Sequence, residues 1–325
     1  MNLFNKIIIA GLAIISFSCD KENDTNTSAK AISTVGITTA TPKKFLFDAT
    51  KAETAGNADW VLDADTSPQR FPTPAQSNIT ATTTENFWRG GLSAWGIALV
   101  KLGHTVETLP LRTAITYGGT GLQDLKNYNV FVIDEPNIRF TSSEKTAILN
   151  FVKNGGGLFM ISNHSGSDRN NDGWDSPAIW NDLMTTNSVK VNPFGISITL
   201  NSFSETTSNR LSVTTNPILN GSQGTVTQLK YSSGASISVN TTANPTAQGL
   251  IWRATSSQGT SNIMCATSTF GTGRVVVIGD SSPADDGTGA SGDTLYPGWT
   301  ELASHARLHM KNTLLAREQK RLKIE

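Results

Sequence analysis

The chain has 325 residues, 37% hydrophobic and 16% charged, enough for one large or two modest domains. Lys+Arg and Asp+Glu both number 26, for a formal net charge of +0. That balance excludes a broad basic surface for nucleic acid and gives no reason to expect strong electrostatic steering.

Lys6 is followed by an apolar run, Ile7 to Ile15, too short to span a bilayer as a helix. Ser16 and Ser18 then flank Phe17 directly before Cys19. The pattern resembles a bacterial lipoprotein signal, although Ser16 stands where Leu is usual. The acidic stretch Asp20-Lys21-Glu22-Asn23-Asp24 resembles the surface-export signals of Bacteroidetes-type lipoproteins. The resemblance implies a signal peptide over 1–18, lipidation at Cys19, attachment to the membrane through it, and an outer-membrane, surface-exposed place in the cell envelope. The competing reading is an ordinary secretory signal with an incidental Cys. Cys265 is the only other cysteine. If Cys19 carries lipid, no disulfide forms, and the apolar setting Ile263-Met264-Cys265-Ala266 reads as core. Residues 19–42 are polar and without periodicity, the composition of a disordered tether.

A strand is predicted at Lys44 to Asp48, then a long polar loop. Trp88, Leu92, Trp95, Leu99 and Leu102 recur at helical spacing, with Gly103 as the terminating glycine and a strand from His104 to Leu109. Asn129 to Asp134 is apolar enough for a strand covered on both faces. Thr141-Ser142-Ser143-Glu144 is a capping box opening a helix whose inner face is Ala147, Ile148, Phe151 and Val152. Gly155-Gly156-Gly157 stops it before a strand from Leu158 to Ser162. Alternating β and α over 43–186 predicts a mainly parallel sheet. Residues 187–267 carry short period-2 stretches, such as Ile196 to Leu200, and read as a β-rich insertion or subdomain. The α/β pattern resumes over 268–316 with a strand, Arg274 to Gly279, and a helix near Thr300 to Leu315 facing inward through Leu302, Ala306, Met310 and Leu314. Residues 317–325 form a basic tail.

Several of these strands end in polar residues, and in open parallel sheets ligands bind at the carboxyl ends. The rim so predicted has Asp48, Asn57 and Asp59 after the first strand, with Asp134 and Glu135 after the next buried one. Asn163 and His164 follow the third, and Asp280, Ser281, Asp285 and Asp286 the last. His164, Asp280 and Asp134 are the candidate catalytic groups; the others are candidate ligand contacts. Clustered carboxylates repel unless a cation or shared proton relieves them. Asp168-Arg169-Asn170-Asn171-Asp172-Gly173 matches the first half of a calcium loop, with Asp168, Asn170, Asp172 and Asp175 as candidate Ca²⁺ ligands. Ile179 stands where the bidentate Glu belongs, so an Asx-rich turn is the competing reading. No motif for a nucleotide cofactor is seen.

The Gly155-Gly156-Gly157 turn, the strand after it and His164, with Gly271-Thr272-Gly273-Arg274-Val275-Val276 and Gly279-Asp280-Ser281-Ser282 near the end, resemble the class I glutamine amidotransferase-like superfamily, in its trehalose-utilisation (ThuA-like) branch. The resemblance implies a flavodoxin-like three-layer α/β sandwich with its site on the strand ends. It does not imply amidotransfer, which needs a Cys nucleophile where this chain has Ser162, Asn163 and His164. The expectation is a lipid-anchored protein binding or modifying a polar small molecule or glycan, by hydrolysis or sugar modification if it is an enzyme. The alternative is a non-catalytic binding module or a structural part of a surface complex.

Overall fold

The computed structural model describes residues 41–64, 76–212, 215–289, 292–293 and 296–310. The expected signal peptide, Cys19 and the basic tail lie outside the described residues. In chain order come β1 (Lys44–Asp48), α1 (Ser93–Lys101), β2 (Thr105–Leu109), β3 (Val130–Asp134), α2 (Ser142–Lys153), β4 (Gly157–Ile161) and α3 (Ser176–Thr185). Then follow β5 (Ile196–Ile198), β6 (Phe203–Thr207), β7 (Leu229–Gly234), β8 (Ile237–Val239), β9 (Gln248–Trp252), β10 (Ile263–Phe270) and β11 (Gly273–Ile278). Two helices close the described chain, α4 (Gly298–Glu301) and α5 (Ala303–Met310).

The main sheet has the order β2-β1-β3-β4-β11-β10-β8-β5, with β9 also paired to β10. From β2 to β11 every pairing is parallel; β10 turns back antiparallel to β11. Alternation along each strand sends side chains to opposite faces. Leu46, Phe131, Ile133, Leu158, Met160, Val275 and Val277 join a core with α2 and α3. Phe45, Phe47, Val130, Val132, Phe159, Val276 and Ile278 join a second core with α1 and α5. A sheet buried on both faces explains strands that read as continuous apolar runs, and the mainly parallel sheet that the pattern predicts has helices on both faces, the flavodoxin-like three-layer α/β sandwich that the resemblance implies. The second core centres on Trp95, fully buried, edge-on to Phe47, Phe159 and His309 at centroid distances of 5.1, 5.4 and 4.8 Å. Burial pushes the His309 imidazole down to about 3.

The capping box is present, with Thr141 accepting from the Glu144 amide and Glu144 accepting from the Thr141 amide. Gly271 and Gly273 have a steric reason. A Cβ on either would lie 2.2 Å from the Lys153 carbonyl or 1.9 Å from that of Val152, so the β10–β11 hairpin can pass the end of α2 only with bare backbone. Cys265 is buried in β10 with its thiol pushed up to about 12 by burial, an inert core residue.

Two expectations need correction. The first helix begins at Ser93, not near Trp88. Gly91 and Leu92 spend their amides on the carbonyls of Asp59 and Val61, which holds 90–92 out of the helix while Trp88 and Leu92 still bury their side chains. The last helix is broken: Leu302 is extended between α4 and α5, and the buried face is Ser304, His305, Leu308, His309 and the expected Met310, with Ala306 only half-buried against the core and Leu314 outside the described residues. Its register follows His309, which stacks against Trp95, Phe159 and Trp299. Beyond the expected elements, α3 follows the Asp168–Asp175 loop. Asp175 is its N-cap, accepting from the Ala178 amide, with Pro177 in the first turn, a start signal visible in the sequence. The Ser/Thr-rich stretch adds β5, β8, β9 and β10 to the main sheet, and β6 and β7 pair as a separate two-stranded sheet.

Candidate functional site

β1 and β3 are neighbours, although β2 lies between them in the chain and pairs on the far side of β1. The connection reverses direction there, the topological switch point at which open α/β sheets bind ligands. Asp48 ends β1, Asp134 ends β3, Asn163 follows β4 and Asp280 follows β11, and these strands are consecutive in the sheet. The parallel register brings the predicted rim to one edge.

Glu135 is the hub of that edge. It is fully buried, with a left-handed φ of 44°, a conformation costing a non-glycine residue about 1–3 kcal/mol. The strain places its carboxylate between three loops. Oε2 accepts from Asn163 Nδ2 at 2.6 Å and from Ser281 Oγ at 3.0 Å. Arg169 donates through Nε to Oε1 at 2.5 Å and through Nη2 to Oε2 at 3.3 Å. The same guanidinium reaches Asn57 Oδ1 through Nη1 at 2.5 Å, and the Arg169 amide donates to Asn137 Oδ1 at 3.0 Å. Arg169 therefore ties the loops after β1, β3 and β4 together over the acidic rim. Sequence reading passed over Arg169 and Asn137, because their partners lie 34, 112 and 32 residues away.

Asp134 lies beneath. It is 1% exposed, and neither carboxylate oxygen has a hydrogen-bond partner. Burial, then repulsion from Glu135, Asp280 and Asp285, raises its carboxyl well above the ordinary range, with Arg169 only partly offsetting them. Asp48 and Glu53 face each other within hydrogen-bond reach, and both are raised by burial, Glu53 further because Asp48 repels its charge. Close carboxyls of this kind oppose one another's ionisation. Asp48 Oδ1 accepts from the Thr50 amide and hydroxyl. Lys51 spends its ammonium on Glu144 at 2.7 Å, anchoring this loop to α2.

The carboxylates after β11 have structural partners. Asp280 accepts from the amides of Ser232, Ser233 and Ser282, clasping β7 to the sheet edge. Asp285 accepts from the amides of Gly287 and Tyr296, and burial, followed by repulsion from Asp286 and Asp293, carries it up to about 7. Asp286 accepts from the Ala94 amide at 2.6 Å and so caps α1 from 192 residues away. Burial raises it to about 6. Asp59 is buried and its carbonyl holds Gly91.

His164 is half-buried, and its Nδ1 bonds to the Ser165 carbonyl at 2.8 Å. Asn163 is the residue after β4 whose side chain enters the rim network. In the Asp168–Asp175 loop, Asp168 accepts from the amides of Asp172 and Gly173, Asp172 from Trp174 and from Asn170 Nδ2, and Asp175 caps α3. These are Asx-turn bonds. Among the described residues no group of three or more His, Cys, Asp or Glu is arranged to hold a metal ion.

Comparison with known proteins places fold neighbours beside this geometry. The chain is similar to several solved structures. They include the mmIFT52 N-terminal domain, at 13% identity over 81% of this chain and 93% of that one, TM-score 0.46. A cytoplasmic protein from Salmonella typhimurium matches at 12% identity over 85% and 100%, TM-score 0.46. A putative ThuA-like protein from Bacteroides uniformis matches at 11% identity over 84% and 89%, TM-score 0.42. No family model and no curated protein matches the chain.

Chemically, the edge holds two unpartnered carboxyl oxygens on Asp134, with Arg169 close enough to act on its charge. The rim hydroxyls of Ser281 and Thr50 donate to the carboxylates of Glu135 and Asp48.

Proposed function

We propose that the chain is a lipid-anchored cell-envelope protein whose ThuA-like domain binds a polyhydroxylated ligand, a carbohydrate or sugar derivative, at the β1/β3 switch point. The observation that carries this reading is Asp134: a carboxyl buried with both oxygens unpartnered costs about 1–3 kcal/mol, and ligand hydroxyls would supply what it lacks. The direct experiment is a panel of neutral and charged oligosaccharides titrated calorimetrically against wild type and Asn163→Ala. Binding weakened about tenfold or more by the loss of the Asn163–Glu135–Ser281 network is the expected result. Equal affinity in both proteins would move the site elsewhere.

A binding module is favoured over a hydrolase because the Ser281 hydroxyl is paired with Glu135, a carboxylate already committed to Arg169 and Asn163. Product release from the same panel, unchanged in His164→Ala, would remove His164 from any reaction; turnover lost in that variant would restore the enzymatic reading.

The anchoring rests on the residues around Cys19. In cells fed a labelled fatty acid, wild type should carry label and sediment with membranes, whereas Cys19→Ser should do neither. Label retained by the variant would reject lipidation at Cys19.

A further inference from the structure

The rim holds more buried acid than its cations balance. Asp48, Glu53, Asp134, Glu135, Asp280 and Asp285 are each at most 1% exposed. Arg169 spends its guanidinium on Glu135 and Asn57, and Lys51 spends its ammonium on Glu144. Backbone amides serve Asp280, Asp285, Asp48 and Glu53. Asp134 has none of these, although Glu135, Asp280, Asp285 and Arg169 all face it closely enough to act on its charge.

A neutral hydroxyl would leave that imbalance in place. An ammonium carries three donors and a full charge, enough to bond both Asp134 oxygens and to offset the neighbouring carboxylates. Arg169, already seated on Glu135 at the same edge, is an internal example of the cation this edge holds.

We propose that the ligand of the strand-end site bears an amine, and that its ammonium bonds to Asp134 beneath Arg169. This rests on the carbohydrate reading above and narrows it to an amino sugar with a free amine. A cation there favours ionised Asp134. Burial and the neighbouring carboxylates push the Asp134 carboxyl well above the ordinary range, so a cation bound there drives loss of its proton to solvent.

The test is calorimetric titration of the full chain near pH 6 in buffers of different ionisation enthalpy. The probes are a glucosamine tetrasaccharide, its fully N-acetylated counterpart, cellotetraose and spermidine, each against wild type and Asp134→Asn. The expected result is roughly tenfold tighter binding of the glucosamine oligomer than of either neutral oligomer, with about one proton released per ligand. In Asp134→Asn the preference should shrink to within about twofold. The proton count is read on wild type and so does not depend on the variant folding. Equal binding of all three oligosaccharides without proton release would overturn the amine and leave the carbohydrate reading standing. Spermidine binding with Asp134-dependent proton release, and no oligosaccharide binding, would uphold the amine and reject the carbohydrate. No binding by any of the four would end both.

Discussion

A Glu135→Ala variant unfolds more easily than wild type by about 3–5 kcal/mol, the cost of breaking a buried ion pair from one side. Three sets of interactions go at once. Arg169 loses the carboxylate that receives both Nε and Nη2, Asn163 and Ser281 lose their common acceptor, and the guanidinium is left over the acidic rim with Asn57 as its remaining side-chain partner. Alanine keeps the left-handed backbone at position 135, so no strain is relieved in compensation. Urea unfolding of the two proteins checks this. A loss below about 1 kcal/mol would be the value of an exposed pair and would deny that the network is a buried hub.

Asp134→Asn has the opposite signature. A carboxyl whose folded pKa is raised binds its proton more tightly when folded, so its contribution is full below the unfolded value, 3.8, and is lost as pH rises through the folded one. Wild type should therefore lose stability as pH rises from about 4, by about 1.4 kcal/mol per pH unit from this group alone. The variant lacks that slope and gains on wild type throughout the window, while losing the ligand. Asp285 and Asp286, raised to about 7 and about 6, contribute falls of the same sign in both proteins. His309, depressed to about 3, works the other way, removing stability as pH falls from its unfolded range. Only the difference between the two proteins isolates Asp134. Identical pH profiles would mean that it is ionised and solvated in the folded protein.

Much of this edge is legible in the sequence because it is written in local patterns. Val130 to Asp134 and Leu158 to Asn163 are apolar runs that stop at a polar residue, and a parallel sheet converts such stops into one edge. The Thr141–Glu144 capping box is likewise readable, since its cause lies within a few residues, whereas Gly271 and Gly273 owe their bare backbone to the distant carbonyls of Lys153 and Val152. What escapes local reading depends on distant partners. Trp88 to Leu102 has helical spacing throughout, yet the amides of Gly91 and Leu92 are claimed by the loop at 59–61 and the helix starts late. Asp286 reads as one more rim acid but is the cap of α1. Asp175 reads as a calcium ligand through its neighbours in the motif, and the Ser176-Pro177 that follow mark it as a helix cap. Arg169 stands inside the same motif as an arbitrary residue, and only the fold shows that it spans three loops.

The arrangement has a physical logic. Backbone strain at Glu135, an orphaned acid at Asp134 and the close buried carboxyls of Asp48 and Glu53 each oppose folding, and they gather where four parallel strands end. Concentration of such costs at one place is characteristic of sites kept for binding rather than for stability.

The decisive measurement is the ¹³C carboxyl resonance of Asp134, assigned by its loss in Asp134→Asn and followed with pH and with added amino-sugar oligomer. A carboxyl that titrates above the ordinary carboxylate range and that ionises and shifts on ligand addition is the predicted result. A resonance that titrates in the ordinary range and is indifferent to every ligand would contradict a binding site at the junction of β1 and β3.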